Sequence, residues 1–248
     1  YYSKEGIPSD AAKEYLLNIA NSNFEQWRKQ NPDASIEEFD FQINKMSVSG
    51  ALFDMVKLLD ISKRVISKYS AEKVYNEALN WAKEYDNELK DMLANNKEYS
   101  LKVLGIERGN IKPRRDIASW SDVKENIYYM YEEKYNNQQS NYEFQNINNK
   151  EEIKDIVTTY INNYFNLDDD KETWFNKMKD LAEAFGYARE VKEYKQEPEK
   201  YKGHVGDIST LIRICLTKRT NTPDMYEIMN VLGKENVIKR LNNAIQNM

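Results

Sequence analysis

Between Gly203 and Leu241 the apolar residues fall on a rhythm that admits only helices, interrupted twice by punctuation that admits only turns. Ile208, Leu211, Ile212, Cys215 and Leu216 stand at i, i+3, i+4, i+7 and i+8, which predicts a helix with one buried face. Arg213 falls on its flank, about 130° from the centre of that stripe at about 100° per residue. Thr222-Pro223-Asp224 then reads as a helix start, with Thr222 as N-cap, Pro223 in the first helical position and an acid in the first turn. Met225, Ile228, Met229 and Leu232 carry the next buried face, and Gly233 ends it. Between these helices stands Lys218-Arg219-Thr220-Asn221, a cationic turn beside backbone N–H groups that no helix uses. Such a turn suits a phosphate or an unstacked base, or it is a solvated loop in a helical bundle.

The rest of the chain agrees with an all-α fold. With 8 glycines and 5 prolines in 248 residues, and 31% charged residues, the composition favours helices over a sandwich or a doubly wound sheet. The length suits one or two domains, and 40% hydrophobic residues suffice for their cores. No apolar run approaches 18 residues and no signal peptide is visible, so a soluble chain without membrane partners is expected. The one cysteine, Cys215, lies on a core stripe and excludes an internal disulfide, which fits a reducing, cytoplasmic setting. The one histidine, His204, argues against His-based metal sites and catalytic triads. A net charge of −5 is unfavourable for nucleic acid, but the basic residues cluster at 102–115 and 200–219.

Taken in order, the periodicity predicts helices at 8–20 (Leu16, Leu17 and Ile19 inward), 24–30, 35–39, 70–85, 88–93, 99–104, 127–135, 151–165 and 171–187. Residues 136–149 are polar, nearly uncharged and linker-like. Asp168-Asp169-Asp170 reads as a cap and a dipole partner for the following helix, because three consecutive carboxylates diverge around a helix start and make a poor metal site. Within 102–115, Lys102, Arg108, Lys112, Arg114 and Arg115 face one acid, Glu107, and gather around Pro113, which disfavours continuing helix and so presents the charge at a bend.

The closing block, GHVGD-ISTLIRICLT, a basic turn and TPDMYEIM-VLGKENVIKRL, resembles the end of bacterial glutamyl-tRNA synthetases, class I aminoacyl-tRNA synthetases. Lys112-Pro113-Arg114 is similar to an (Arg/Lys)-Pro-Arg element of that family, residues 48–58 to its "V-S-GA-FD-KL" region, and Tyr1-Tyr2 with Gly6-Ile7-Pro8 to the segment after its ATP loop. The resemblance implies an all-α tRNA-binding half. It would have a stem-contact region at 1–69 and two anticodon-binding subdomains at 70–149 and 150–248. Arg213, Thr222, Pro223 and Met225 then fall where the family touches the first two anticodon bases, and Arg114 where it reads the third. Lys57, Lys63, Lys68, Lys112, Arg115, Lys218 and Arg219 become candidates for the tRNA backbone.

The whole enzyme so implied joins glutamate to its tRNA with ATP and Mg²⁺. Those cofactors belong to a catalytic domain expected upstream, and no residue of this chain takes a catalytic or metal-binding role. Lys45-Met46-Ser47-Val48-Ser49 and Asp60-Ile61-Ser62-Lys63-Arg64 resemble ATP loops of class I synthetases. Val48 and Asp60, however, stand where those loops carry lysine. A monomer binding the glutamate tRNA is expected. The alternatives are a synthetase that also charges glutamine tRNA, and a helical protein-interaction module with no RNA role.

Overall fold

The structure is a computed structural model that describes residues 1–46, 52–138 and 142–247. Among them there is no β-strand, only two isolated bridges, Asn21–Met46 and Ala188–His204. The architecture is all-α and forms two compact units, residues 1–127 and 128–248.

The first unit runs α1 (Tyr2–Glu5), α2 (Ser9–Ala20), α3 (Phe24–Gln30), two short 3₁₀ turns, α4 (Met55–Ser67), α5 (Ala71–Tyr85), α6 (Asn87–Asn95), α7 (Lys97–Gly105), an irregular bend and α8 (Asp122–Ile127). Side-chain caps set four of these starts. Asp54, Ser70, Asp86 and Asn96 each accept from a backbone N–H three residues on, satisfying a donor that no helix turn can. The core between α2 and α4 is built from Ile7, Ala11, Tyr15, Leu58 and Ile61. The inward face of α2 is therefore the row of Ala11, Tyr15 and the expected Ile19, which packs against this core, while Leu16, also expected inward, is 58% exposed. The reason is Glu14. Its buried carboxylate meets Arg28 (3.1 Å) and Arg64 (2.5 Å), which turns the helix so that an ion cluster, not a leucine, lies beside Tyr15.

The second unit opens with a 3₁₀ turn (Tyr128–Met130) and continues with α9 (Glu132–Asn137), α10 (Lys150–Thr159), α11 (Lys171–Ala184), α12 (Val191–Gln196), α13 (Val205–Thr217), α14 (Met225–Leu232) and α15 (Lys234–Gln246). The single helix expected at 127–135 is broken, because Tyr131 adopts an extended backbone. After α10 the chain widens into a π-helical turn, Tyr160–Tyr164, closed by Phe165 N–H donating to the Tyr160 carbonyl at 2.8 Å. The described part of the polar run belongs to this unit: Ile147 is buried and Asn146 donates to Asp207.

Helix α13 is the spine, with all five residues of the expected stripe buried, and it packs against α11 and α15. Burial pushes the Cys215 thiol well above its ordinary pKa, consistent with a core residue rather than a reactive one. Gly233, at φ 79°, separates α14 from α15 in a conformation that L side chains rarely adopt. Arg240 is fully buried. Its guanidinium donates to the carbonyls of Tyr129 (2.8 Å) and Leu216 (2.9 Å) and to Glu132 (2.7 Å), and lies over the Tyr135 ring at 3.8 Å. This one side chain ties α15 to the start of the unit and to the end of α13.

Candidate nucleic-acid interface

Two basic elements, one in each unit, hold the residues singled out above. In the first unit the bend between α7 and α8 is pinned at both ends while its tip projects. At the near end Arg108 is mostly buried. Its guanidinium donates to the carbonyls of Leu104 (2.7 Å), Ile66 (2.9 Å) and Tyr69 (3.4 Å), and burial pushes its pKa down. Arg108 is thus a clamp that satisfies the ends of α7 and α4. At the far end Ser62 Oγ donates to the Ala118 carbonyl (2.5 Å), and Trp120 N–H donates to the Gly6 carbonyl (2.8 Å). A Cβ on Gly6 would lie 2.8 Å from Trp120 N, so only glycine permits this approach. Asp122 accepts from the N–H groups of Ala118 and Ser119 (2.8 and 3.1 Å).

Between these pins Ile111 is fully exposed, Lys112 and Arg115 are exposed, and Arg114 is half-buried. Neither Lys112 nor Arg115 makes an ion pair among the described residues, whereas Arg114 is held by acids. Its Nε donates to Asp116 at 2.5 Å, and Glu107 stands at 3.8 Å.

On α4, Lys57 pairs with Glu25 (3.3 Å), Lys68 pairs with Asp33 (2.9 Å) and also donates to the Pro32 carbonyl, and Lys63 lines an open hollow with Asp116 and Ser119. The exposed pairs are weak and exchange readily for a phosphate. The segment Asp60-Ile61-Ser62-Lys63-Arg64 lies inside α4, with Ser62 buried and Arg64 paired to Glu14, so it builds no phosphate loop. Of the other ATP-loop-like segment, Ser47, Val48 and Ser49 lie outside the described residues.

In the second unit the turn after α13 begins at Lys218, whose φ of 56° ends the helix in the left-handed conformation. Its ammonium folds back to the carbonyls of Tyr135 (3.0 Å) and Gln138 (3.1 Å), and burial with the nearby Arg240 lowers its pKa. Arg219 lies 5.6 Å from the ring centres of Tyr128 and Tyr129. Lys218, Arg219, Thr220 and Asn221, with Ile214 and Glu143, line an open groove of about 410 Å³. Arg213, half-buried on the flank as its angle demanded, donates from Nε to Thr222 Oγ1 at 3.2 Å. Thr222 is buried, and its hydroxyl donates to the Pro223 carbonyl (2.9 Å) and contacts Met225 Sδ (3.7 Å). The expected cap is corrected here: α14 starts at Met225 and its N-cap is Asp224, which accepts from Glu227 N–H at 3.0 Å. An extended residue ahead of Met225 carries the carboxylate into the cap, leaving Thr222 to hold Arg213. Arg213, Thr222, Pro223 and Met225 thus form one connected group.

A family model described as "Anticodon binding domain" matches residues 73–245, and so takes in both basic elements. The chain belongs to the anticodon-binding-domain family. Within this family match lie the bend at Arg114 and the turn at Arg213–Met225, while Lys57, Lys63 and Lys68 precede it.

Among curated relatives, glutamate–tRNA ligase of Clostridium perfringens strain 13 is 45% identical over 97% of this chain, and that of Acetivibrio thermocellus is 43% identical over 97%. This chain spans 44% and 43% of those proteins' lengths. The crystal structure of a glutamate–tRNA ligase from Elizabethkingia meningosepticum superposes with a TM-score of 0.62 at 18% identity, covering 99% of this chain and 42% of that one, a likeness of fold.

What sequence reasoning missed in this anticodon-binding domain is the acidic bracket on Arg114. Its signal was present in Asp116, two residues beyond the arginine and just outside the basic run. Among the described residues no three His, Cys, Asp or Glu side chains gather to hold a metal ion, and no helix is long and apolar enough to cross a membrane.

Proposed function

We propose that this chain is the tRNA-recognising part of a glutamate–tRNA ligase. The observation that carries the reading is that one anticodon-binding family match contains both the projecting bend at Arg114 and the connected group from Arg213 to Met225. Arg213, Thr222, Pro223 and Met225 are proposed to receive the first two anticodon bases, and Arg114 the third. A base splayed out of its stack is recognised by donors along its edge, and a guanidinium is all donor.

Lys112 and Arg115, outermost on the bend, supply phosphate contacts, and Lys57, Lys63 and Lys68 supply others along α4. Arg219 offers a cation above the groove. Lys218 serves to hold the turn. The ligase reaction, with ATP and Mg²⁺, belongs to the portion of the relatives that this chain does not span, and the partner is the glutamate tRNA, in the cytoplasm. The test is binding of a glutamate anticodon stem-loop across salt. Affinity should fall by one or more orders of magnitude between about 50 and 200 mM. Absence of binding at low salt by a folded chain would end the reading.

A further inference from the structure

We propose that Asp116, with Glu107, is the specificity-determining partner of Arg114: the two carboxylates make this arginine a reader of bases rather than a binder of phosphate. The inference rests on the reading of Arg114 as an anticodon contact and deepens it. Asp116 Oδ2 lies 2.5 Å from Arg114 Nε and Glu107 Oε2 lies 3.8 Å from the same atom, and all three side chains are between a quarter and two-fifths exposed. Glu107 does this from a backbone φ of 56°, a conformation that L-residues rarely adopt.

One cation between two anions carries a local charge of −1. At this spot a phosphate gains little from Arg114 itself and is left to the neighbouring cations Lys112 and Arg115, whereas a neutral base edge meets no such competition and the guanidinium keeps its donor character. Arg115, the next residue, is exposed and has no carboxylate within ion-pair distance among the described residues. Consecutive arginines at the tip of one bend are thereby divided in task. The bracket also restrains the guanidinium by charge-assisted pairing, so that it meets the base in one orientation.

The division of task predicts opposite consequences for salt and for base identity. Asp116→Asn removes a charge from the bracket and leaves the arginine able to take a phosphate. The binding of two anticodon stem-loops, alike except for C or G at the third base, is measured between about 50 and 200 mM salt for the wild-type chain, Asp116→Asn, Glu107→Gln and Arg114→Gln. In Asp116→Asn the expected result is a salt dependence steeper by about 0.7 in log–log slope, one added phosphate contact on single-stranded RNA. The preference for C should fall severalfold, through tighter binding of the G loop. Glu107→Gln should move both quantities the same way and by less, and Asp116→Glu should restore the wild-type values.

Slope and preference both unchanged in Asp116→Asn and in Glu107→Gln, with the preference lowered in Arg114→Gln, would overturn the bracket while leaving the anticodon contact standing. No change in any of these variants would overturn both. A loss of affinity for both loops in equal proportion in Asp116→Asn and Glu107→Gln would mark the carboxylates as mere supports of the bend and overturn the proposal.

Discussion

The ammonium of Lys218 donates to the carbonyl of Tyr135 at 3.0 Å and stands 4.4 Å from the centre of the same residue's ring. A lysine committed to a carbonyl and a π-face is poorly placed to release counterions from RNA. Lys218→Ala should therefore destabilise the chain by about 1 kcal/mol, since two charge-assisted bonds are lost at a half-exposed site. The corresponding fall in Tm is about 2–4 °C. The salt slope of RNA binding should not change. A slope shallower by about 0.7 with an unaltered Tm would return Lys218 to the phosphate contacts.

Arg213 and Thr222 are joined by a hydrogen bond across the basic turn. Because Asp224 supplies the cap of α14, Asp224→Ala should cost about 1 kcal/mol of stability and leave RNA affinity nearly intact. Thr222→Ala should instead weaken RNA binding. In a double-mutant cycle Arg213→Ala and Thr222→Ala should be non-additive by about 0.5 kcal/mol or more, because each removes the other's partner. Strict additivity in RNA binding would show that the two act apart.

Helix periods and end signals made much of this arrangement legible in the sequence. The Ile208 to Leu216 stripe, the flank position of Arg213, the start of α5 at Ser70 and the stop at Gly233 all follow from spacing and local backbone chemistry. What spacing does not display is where a long polar side chain reaches a partner far along the chain. Glu14 turns α2 because Arg28 and Arg64 arrive from elsewhere. Arg108 and Lys218 look like surface charge until the carbonyls of Ile66 and Tyr135 are brought to them. A sequence displays charge but not its pairing: only the family resemblance set Arg114 apart from Arg115, and the fold adds the carboxylates that bracket the first while its neighbour stays exposed.

The buried guanidinium of Arg240 is satisfied by two carbonyls and by Glu132. Arg240→Ala should take a buried charge-assisted donor from those acceptors and open a void under Tyr135, costing about 3–5 kcal/mol. Arg240→Lys should recover only part, because an ammonium cannot reproduce the planar fork. Chemical denaturation of the variants measures both, and a loss below about 1 kcal/mol in Arg240→Ala would contradict the assigned role.

Asp10 accepts from the Tyr69 hydroxyl at 2.6 Å and from Lys73 at 3.0 Å, and these partners hold its carboxyl below its ordinary pKa of 3.8. The folded state thus binds this proton less readily than the unfolded state. The stabilisation is complete above the ordinary value and is lost as pH falls through the folded one. Asp10→Asn should cost at most about 1 kcal/mol at neutral pH, the half-exposed site discounting the pair. The gap between wild type and variant should close in acid. A gap that widens below the ordinary carboxylate range would show the opposite sign.

Arg114 is proposed to read the third anticodon base. Glutamate and glutamine anticodons differ there, with C in the first and G in the second. Unpaired cytosine offers O2 and N3 as adjacent acceptors to a guanidinium, whereas the matching edge of guanine offers N1–H and N2–H donors, so donors would face donors. Such a contact discriminates by about 1–3 kcal/mol, roughly tenfold to more than a hundredfold. The decisive measurement is the affinity of the wild-type chain for two anticodon stem-loops that differ only at this base, repeated with Arg114→Gln. A preference of about tenfold or more for C, relaxed in the variant because an amide both donates and accepts, is the predicted result. Equal affinities in the wild type, or a preference untouched by Arg114→Gln, would contradict it.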